Sequence, residues 1–178
     1  VKAVRPSIAL VVLALALLIA VAGCGGGGES SDASTTATTP TSPAVVAKAD
    51  AICRQIAVEL RAVGHRAARS DAKSALELTT DYMIGPTIPV LARAGRKLEA
   101  LKAAAGNPSY DLFVDLFDPA LVLAEKRLTA GRHNDSARAE GLEDQLTNLG
   151  ETQRAAARDA GLHDCAVDFQ HILAASLK

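Results

Sequence analysis

The chain has 178 residues and a near-even charge balance, nineteen basic against twenty acidic, so it offers no basic footprint for nucleic acid. Almost half of it is hydrophobic, yet it has no tryptophan, two tyrosines and three phenylalanines, too few rings for a platform that stacks sugars or bases.

The N-terminal stretch has the parts of an export signal: basic Lys2 and Arg5, an apolar core from Ile8 to Ala22, and a small-residue cleavage zone. A membrane-spanning helix needs about 20 predominantly apolar residues. The uncharged run from Pro6 to Gly23 falls short of that before Gly25 to Gly28 would break any helix. Val21-Ala22-Gly23-Cys24 resembles the lipobox of bacterial lipoproteins, in which signal peptidase cuts ahead of the cysteine and the thiol carries diacylglycerol. Residues 1–23 thus read as a signal peptide and Cys24 as the lipidation site, which implies a cell-membrane anchor with the body on the extracytoplasmic side. A start at Val1, with Met83 the only methionine, is what a GTG codon read literally would give.

Removing Lys2 and Arg5 with the signal leaves seventeen basic residues against twenty acidic, a net charge of −3. From Cys24 the chain enters GGGGESSDASTTATTPTSP, Gly25 to Pro43, which has almost no apolar side chain to offset the entropy of ordering. Residues 24–43 are therefore a lipidated cysteine and tether. Its nineteen residues after Cys24 would span roughly 25 Å as a flexible coil.

From residue 44 to 178 the apolar period is helical. A first helix places Val45, Ala49, Ile52, Cys53, Ile56, Leu60, Val63 and Ala67 on one face, and Ser70-Asp71 offers a stop and a fresh cap. A second, over about 71–105, carries Leu91, Ala94, Leu98 and Leu101. Gly85-Pro86 and Pro89 interrupt its middle and predict a kink or break. Asn107-Pro108 opens a third helix with Tyr110, Phe113, Val114, Phe117, Leu121, Ala124 and Leu128 inward, Pro119 as a second kink site, and Gly131 as its end. Asn134 is the expected cap of a fourth, running to about Ala160 with Leu142, Leu146, Leu149, Ala156 and Ala160 inward and Gly161 as its stop. Gln153 falls on that apolar stripe, where a buried amide needs a partner. A short amphipathic segment, 166–177, ends the chain.

No stretch alternates as a strand does. The fold class expected is all-α: an antiparallel up-down four-helix bundle with a kinked second helix and a short C-terminal helix. In that topology Cys53, early in the first helix, and Cys165, just past the fourth, lie at the same end. With Cys24 assigned to lipid they are an even pair, as expected of one disulfide in an exported protein. A bridge closing so long a loop contributes on the order of 4–5 kcal/mol less any native strain.

The segments ADAICRQ at the start of helix one, IPVLARAGRKLEAL in helix two, the proline-initiated third helix and AARDAGLHDC at the end are similar to a group of small helical lipoproteins from actinobacteria and related high-GC bacteria. The likeness spans roughly Ala44 to Asp168, and its specific parts are the surroundings of Cys53 and Cys165. It implies a helical fold and a disulfide and assigns no activity. Gly85-Pro86 departs from the group's pattern.

Enzymatic and metal signatures are thin. No glutamate has histidine three residues on, as inward Glu-x-x-His motifs of di-iron bundles require. Neither His-Glu-x-x-His nor Cys-x-x-Cys occurs, nor a Gly-x-Ser-x-Gly elbow or a phosphate-binding glycine loop. The densest group is His163, Asp164, Cys165, Asp168 and His171, where a free thiol would suit a soft metal; a disulfide flanked by solvated polar residues is the simpler reading. Asp111, Asp115 and Asp118 read as a solvated flank, and His65 and His133 as helix-end residues.

Helix three is apolar on a second face as well, through Leu112, Leu116 and Leu123. The expected cover is the C-terminal segment, through Phe169, Leu173 and Leu177; otherwise the face is a surface for a partner or apolar ligand. The sequence thus points to a lipid-anchored, non-enzymatic binding or envelope-interaction module with no cofactor. An envelope protein is the expected partner. The alternatives are a carrier of a small apolar ligand and a metal protein using the His163, Cys165 and His171 region.

Overall fold

The computed structural model of the chain describes residues 40–177; the stretch expected to be a signal peptide, the expected lipidation site Cys24 and most of the expected tether lie outside them. Every regular element among the described residues is helical, and the domain is all-α. The first helix, α1 (Pro43–Ala68), starts where Ser42 is extended and its Oγ accepts from the Val45 N–H at 3.4 Å. Pro43 occupies the first helical position, which needs no donor. Thr41 is already buried, so the ordered body begins a little before Ala44.

The next arm does not start at Ser70-Asp71. Ser74 caps α2 (Ala75–Glu77), its Oγ accepting from the Glu77 N–H at 3.1 Å, while the Glu77 carboxylate accepts from the Lys73 N–H at 2.8 Å. This is a near-relative of the reciprocal capping box. A π-helical segment (Leu78–Ile84) leads without a gap into α3 (Gly85–Glu99). The interruption expected at Gly85-Pro89 therefore takes the form of a widened turn, in which the Gly85 N–H bonds to the Thr80 carbonyl five residues back. That extra residue absorbs the ladder disruption that two prolines impose. The break falls later, where the Leu101 N–H turns back to the Leu98 carbonyl at 2.9 Å. A last turn, α4 (Lys102–Ala105), ends at left-handed Gly106, φ 58°.

Asn107 opens the third arm as expected, its side chain accepting from the Ser109 and Tyr110 N–H groups at 2.8 and 3.2 Å. The arm divides at Leu116 into α5 (Pro108–Asp115) and α6 (Phe117–Arg132). Pro119 lacks the donor that would have reached Asp115, four residues earlier. Gly131 does not end the helix. It is buried where a Cβ would lie 2.3 Å from Thr80 Oγ1, so glycine is there for close approach, and Asn134 takes the left-handed turn at φ 57°. Asp135, rather than Asn134, caps α7 (Ser136–Asp159), accepting from the Arg138 N–H at 3.1 Å. Gly161, φ 76°, follows its end as expected. Asp168 caps α8 (Phe169–Ala175), accepting from the Gln170 and His171 N–H groups at 3.0 and 3.1 Å.

Successive arms run antiparallel. Arg93 pairs with Glu59 between α3 and α1, Arg132 with Asp81 at 2.9 Å between the end of α6 and the π segment, and Arg127 with Glu143 at 2.7 Å between α6 and α7. The flanks differ from a simple square of four helices: α1 packs on α3, the π segment and α8, whereas α7 packs on α5 and α6. Chain 165–176 runs alongside α1 in the same direction, from Cys165 on Cys53 to Ser176 on Gly64. The two outer arms meet at the disulfide end, where Ala49, Cys53, Ala156, Ala157, Ala160 and Cys165 share the core. Tyr110, Phe113 and Phe117 fill its centre edge to face, with ring centroids 6.3 and 5.5 Å apart.

Candidate functional site

The thiol pair sits where chain topology places it. Cys53 and Cys165 are bonded, with Cα atoms 5.1 Å apart, and both are buried. Asp50, itself buried one turn before Cys53, accepts from the Asp164 backbone N–H at 2.9 Å, and Arg54 pairs with the Asp164 side chain. The loop between α7 and α8 is thus held to α1 by a covalent bond, a hydrogen bond and an ion pair at consecutive positions. This commits most of the group singled out as a metal candidate. The Cys165 sulfur is in the disulfide, Asp164 faces Arg54, and Asp168 caps α8 and lies 3.4 Å from Arg154. His163 and His171 are exposed, and no group of three metal-ligating side chains forms among the described residues.

Beside this knot lies a slot of about 100 Å3 between α3, the start of α6, α7 and the beginning of α8. Its walls are apolar: Leu91 from α3, Phe117 and Ala120 from α6, Leu146 and Gly150 from α7, and Val167 and Phe169 on the far side. Polar groups reach it from Thr147, Gln153 and Arg154 on α7 and from Asp168 and Gln170 at the start of α8. The amide expected to need a partner has one, since Gln153 Nε2 donates to the Phe113 carbonyl at 3.2 Å across the α5–α7 contact. Arg154, mostly covered, holds its guanidinium against Asp168. The slot exists because α8 rather than α7 flanks α1, which leaves α7 and α8 as two walls.

The second apolar face of the third arm is only partly open. Leu112 is 47% exposed, while Leu116 and Leu123 are half-buried. The expected cover by the C-terminal segment is not what the fold uses: α8 lies on α1, and Leu177 borders Ala67 and Ala68. Gly64 explains the difference, because without a Cβ it lets the Leu173 carbonyl and Ser176 approach α1 closely. Of the three residues expected to cover it, Phe169 lines the slot together with Phe117 and Ala120 of the third arm. α7 packs along both α5 and α6.

The acidic strip is a solvated flank at Asp115 and Asp118 but not at Asp111, which is half-buried with its Oδ1 covered. Asp115 takes Lys102 Nζ at 2.7 Å, and this hydrogen bond raises the lysine pKa, while Asp118 is exposed. His65 lies in the last turn of α1 and His133 caps the C-terminus of α6. Sequence reading missed the pairing of Arg154 with Asp168, since no short-range signal pairs residues on different helices. The fold and the slot together define a small, disulfide-tied helical domain with an apolar recess beside its disulfide. No protein-family model, curated protein or solved structure matches the chain.

Proposed function

We propose that the chain is a lipoprotein, exported by residues 1–23, lipidated at Cys24 and held on the extracytoplasmic side of the cell membrane, where its helical domain is a non-enzymatic interaction module. The observation that carries the binding part of this reading is the slot. About 100 Å3 is well below the ~300–1,000 Å3 of small-molecule sites, but it suits one branched aliphatic side chain. A recess of this size, walled by Leu146, Phe117 and Phe169 and edged by Arg154, supports docking of an apolar anchor from an envelope protein. The carrier reading requires the slot to open between α7 and α8, which the half-buried Val167 and Phe169 would have to permit.

Native mass spectrometry of the protein isolated from its own membrane tests the assignment. A protein partner that is retained by the wild type and lost with Leu146→Glu supports it. A bound small apolar molecule without any protein favours the carrier, and an unaccompanied chain of unlipidated mass counts against both.

A further inference from the structure

We propose that the exposed flank shared by α1 and α3 is a docking face for an anionic lipid surface, laid against the headgroups of the membrane that carries the anchor; this rests on the lipoprotein reading above. On α1, Lys48, Gln55, Glu59 and Arg66 recur at seven- and four-residue steps, so they share one side of the helix. Glu59 identifies that side as the one next to α3, because it pairs with Arg93. On α3, Arg93, Arg96 and Lys97 lie three and four residues apart and are all exposed.

The flank therefore sets five bases, Lys48, Arg66, Arg93, Arg96 and Lys97, beside the carboxylate of Glu59; the other exposed carboxylate of α3, Glu99, lies 3.5 Å from Lys102. The Glu59 carboxylate is held below the usual range by the Gln55 amide first, then by Arg93 and Lys97. It neutralises one of the five. Val58, 54% exposed, lies about 100° round α1 from Glu59 and offers an apolar contact at the edge of the flank. The other arms have the opposite sign: α5, α6 and α7 together carry nine acidic side chains against six basic. A molecule of slightly negative net charge is thus polarised, with its positive side concentrated on two adjacent helices.

The lipid surface is favoured over a soluble polyanion by where the chain enters. The chain enters the domain through buried Thr41 and the cap Ser42 at the head of α1, whose first residue, Pro43, is five residues before Lys48. Screening confines attraction of this kind to roughly 8 Å at physiological salt, so an untethered domain would gain little from it. A tether that ends just before the buried Thr41 makes the encounter intramolecular, and a weak face then suffices. The orientation also leaves the slot accessible. Leu91, which lines it, is two residues from Arg93 and so about 200° round α3.

The test uses the full lipidated protein in vesicles, with lysine acylation rates read by mass spectrometry. On vesicles of phosphatidylcholine with phosphatidylglycerol, Lys48 and Lys97 should react roughly threefold or more slowly than on phosphatidylcholine alone. The difference should vanish in high salt. Lys126 on α6 should react equally on both, and Arg96→Glu should reduce the protection of Lys97. Equal rates for Lys97 on the two vesicles, equal protection of Lys126, or protection only by an added soluble polyanion would overturn the proposal. Failure of the anchor is separately visible, because a protein without lipid on its Cys24 peptide would leave both kinds of vesicle.

Discussion

The two ends of the molecule are held by different means. At the end that carries Cys53 and Cys165, a disulfide, a buried carboxylate, an aromatic triplet and a stripe of alanines close the core, and Ala49, Cys53, Tyr110, Phe113 and Ala157 have no exposed surface. At the far end the arms meet through glycines. Gly131 admits Thr80 of the π segment, Gly64 admits Ser176, and surface caps and ion pairs finish the turns. The first end is fixed by burial and covalent linkage, the second by backbone proximity. Damage should therefore be costly for different reasons at each.

The largest loss is expected at the closed end. Phe113→Ala should cost about 3–5 kcal/mol through the cavity it leaves, and Cys53→Ala with Cys165→Ala about 2–5 kcal/mol, both read by urea unfolding. At the glycine end, Gly131→Ala should cost about 1–3 kcal/mol by overpacking. Adding Thr80→Ala should recover much of that, because the nearest atoms to the new methyl belong to the Thr80 side chain. Full additivity of the two changes would contradict the close-approach role given to Gly131.

Tyr110 sharpens the comparison by pH. Burial pushes its phenol up to about 12, against about 10 in the unfolded chain. The folded form holds its proton more tightly, so its contribution is intact below pH 10 and declines as pH rises above it. The slope expected between pH 10 and 12 is up to ~1.4 kcal/mol per pH unit. Tyr110→Phe should flatten that slope while losing about 1 kcal/mol at neutral pH with the hydrogen bond to the Leu98 carbonyl. The smallest effect belongs to the far end, where Ser74→Ala removes an exposed cap and should cost about 0.5–1 kcal/mol.

Much of the closed end was legible because its signals are local or counted. The Asn107-Pro108 start, the Tyr110, Phe113 and Phe117 stripe, and the even pair of cysteines each follow from spacing along one helix or from parity. The far end was less so. Gly131 looks like a helix stop, and only the tertiary neighbour Thr80 shows that it is a contact. Gly64, inside α1, gives no hint that α8 lies on it. Capping by Ser74 and Asp135 in place of Ser70-Asp71 and Asn134 is a shift between equivalent cap formers, which local chemistry cannot separate. For the slot, the need of Gln153 for a partner was readable, but the pairing of Arg154 with Asp168 depends on α8 flanking α1.

Non-reducing mass spectrometry of the mature protein, alkylated after denaturation, bears most directly on a lipid-anchored domain with one internal disulfide. The expected mature protein lacks residues 1–23 and carries diacylglycerol on Cys24, with two hydrogens fewer than the reduced form and no alkylated cysteine. A chain that keeps residues 1–23, or one in which Cys24, Cys53 or Cys165 takes up the alkylating reagent, would contradict this reading.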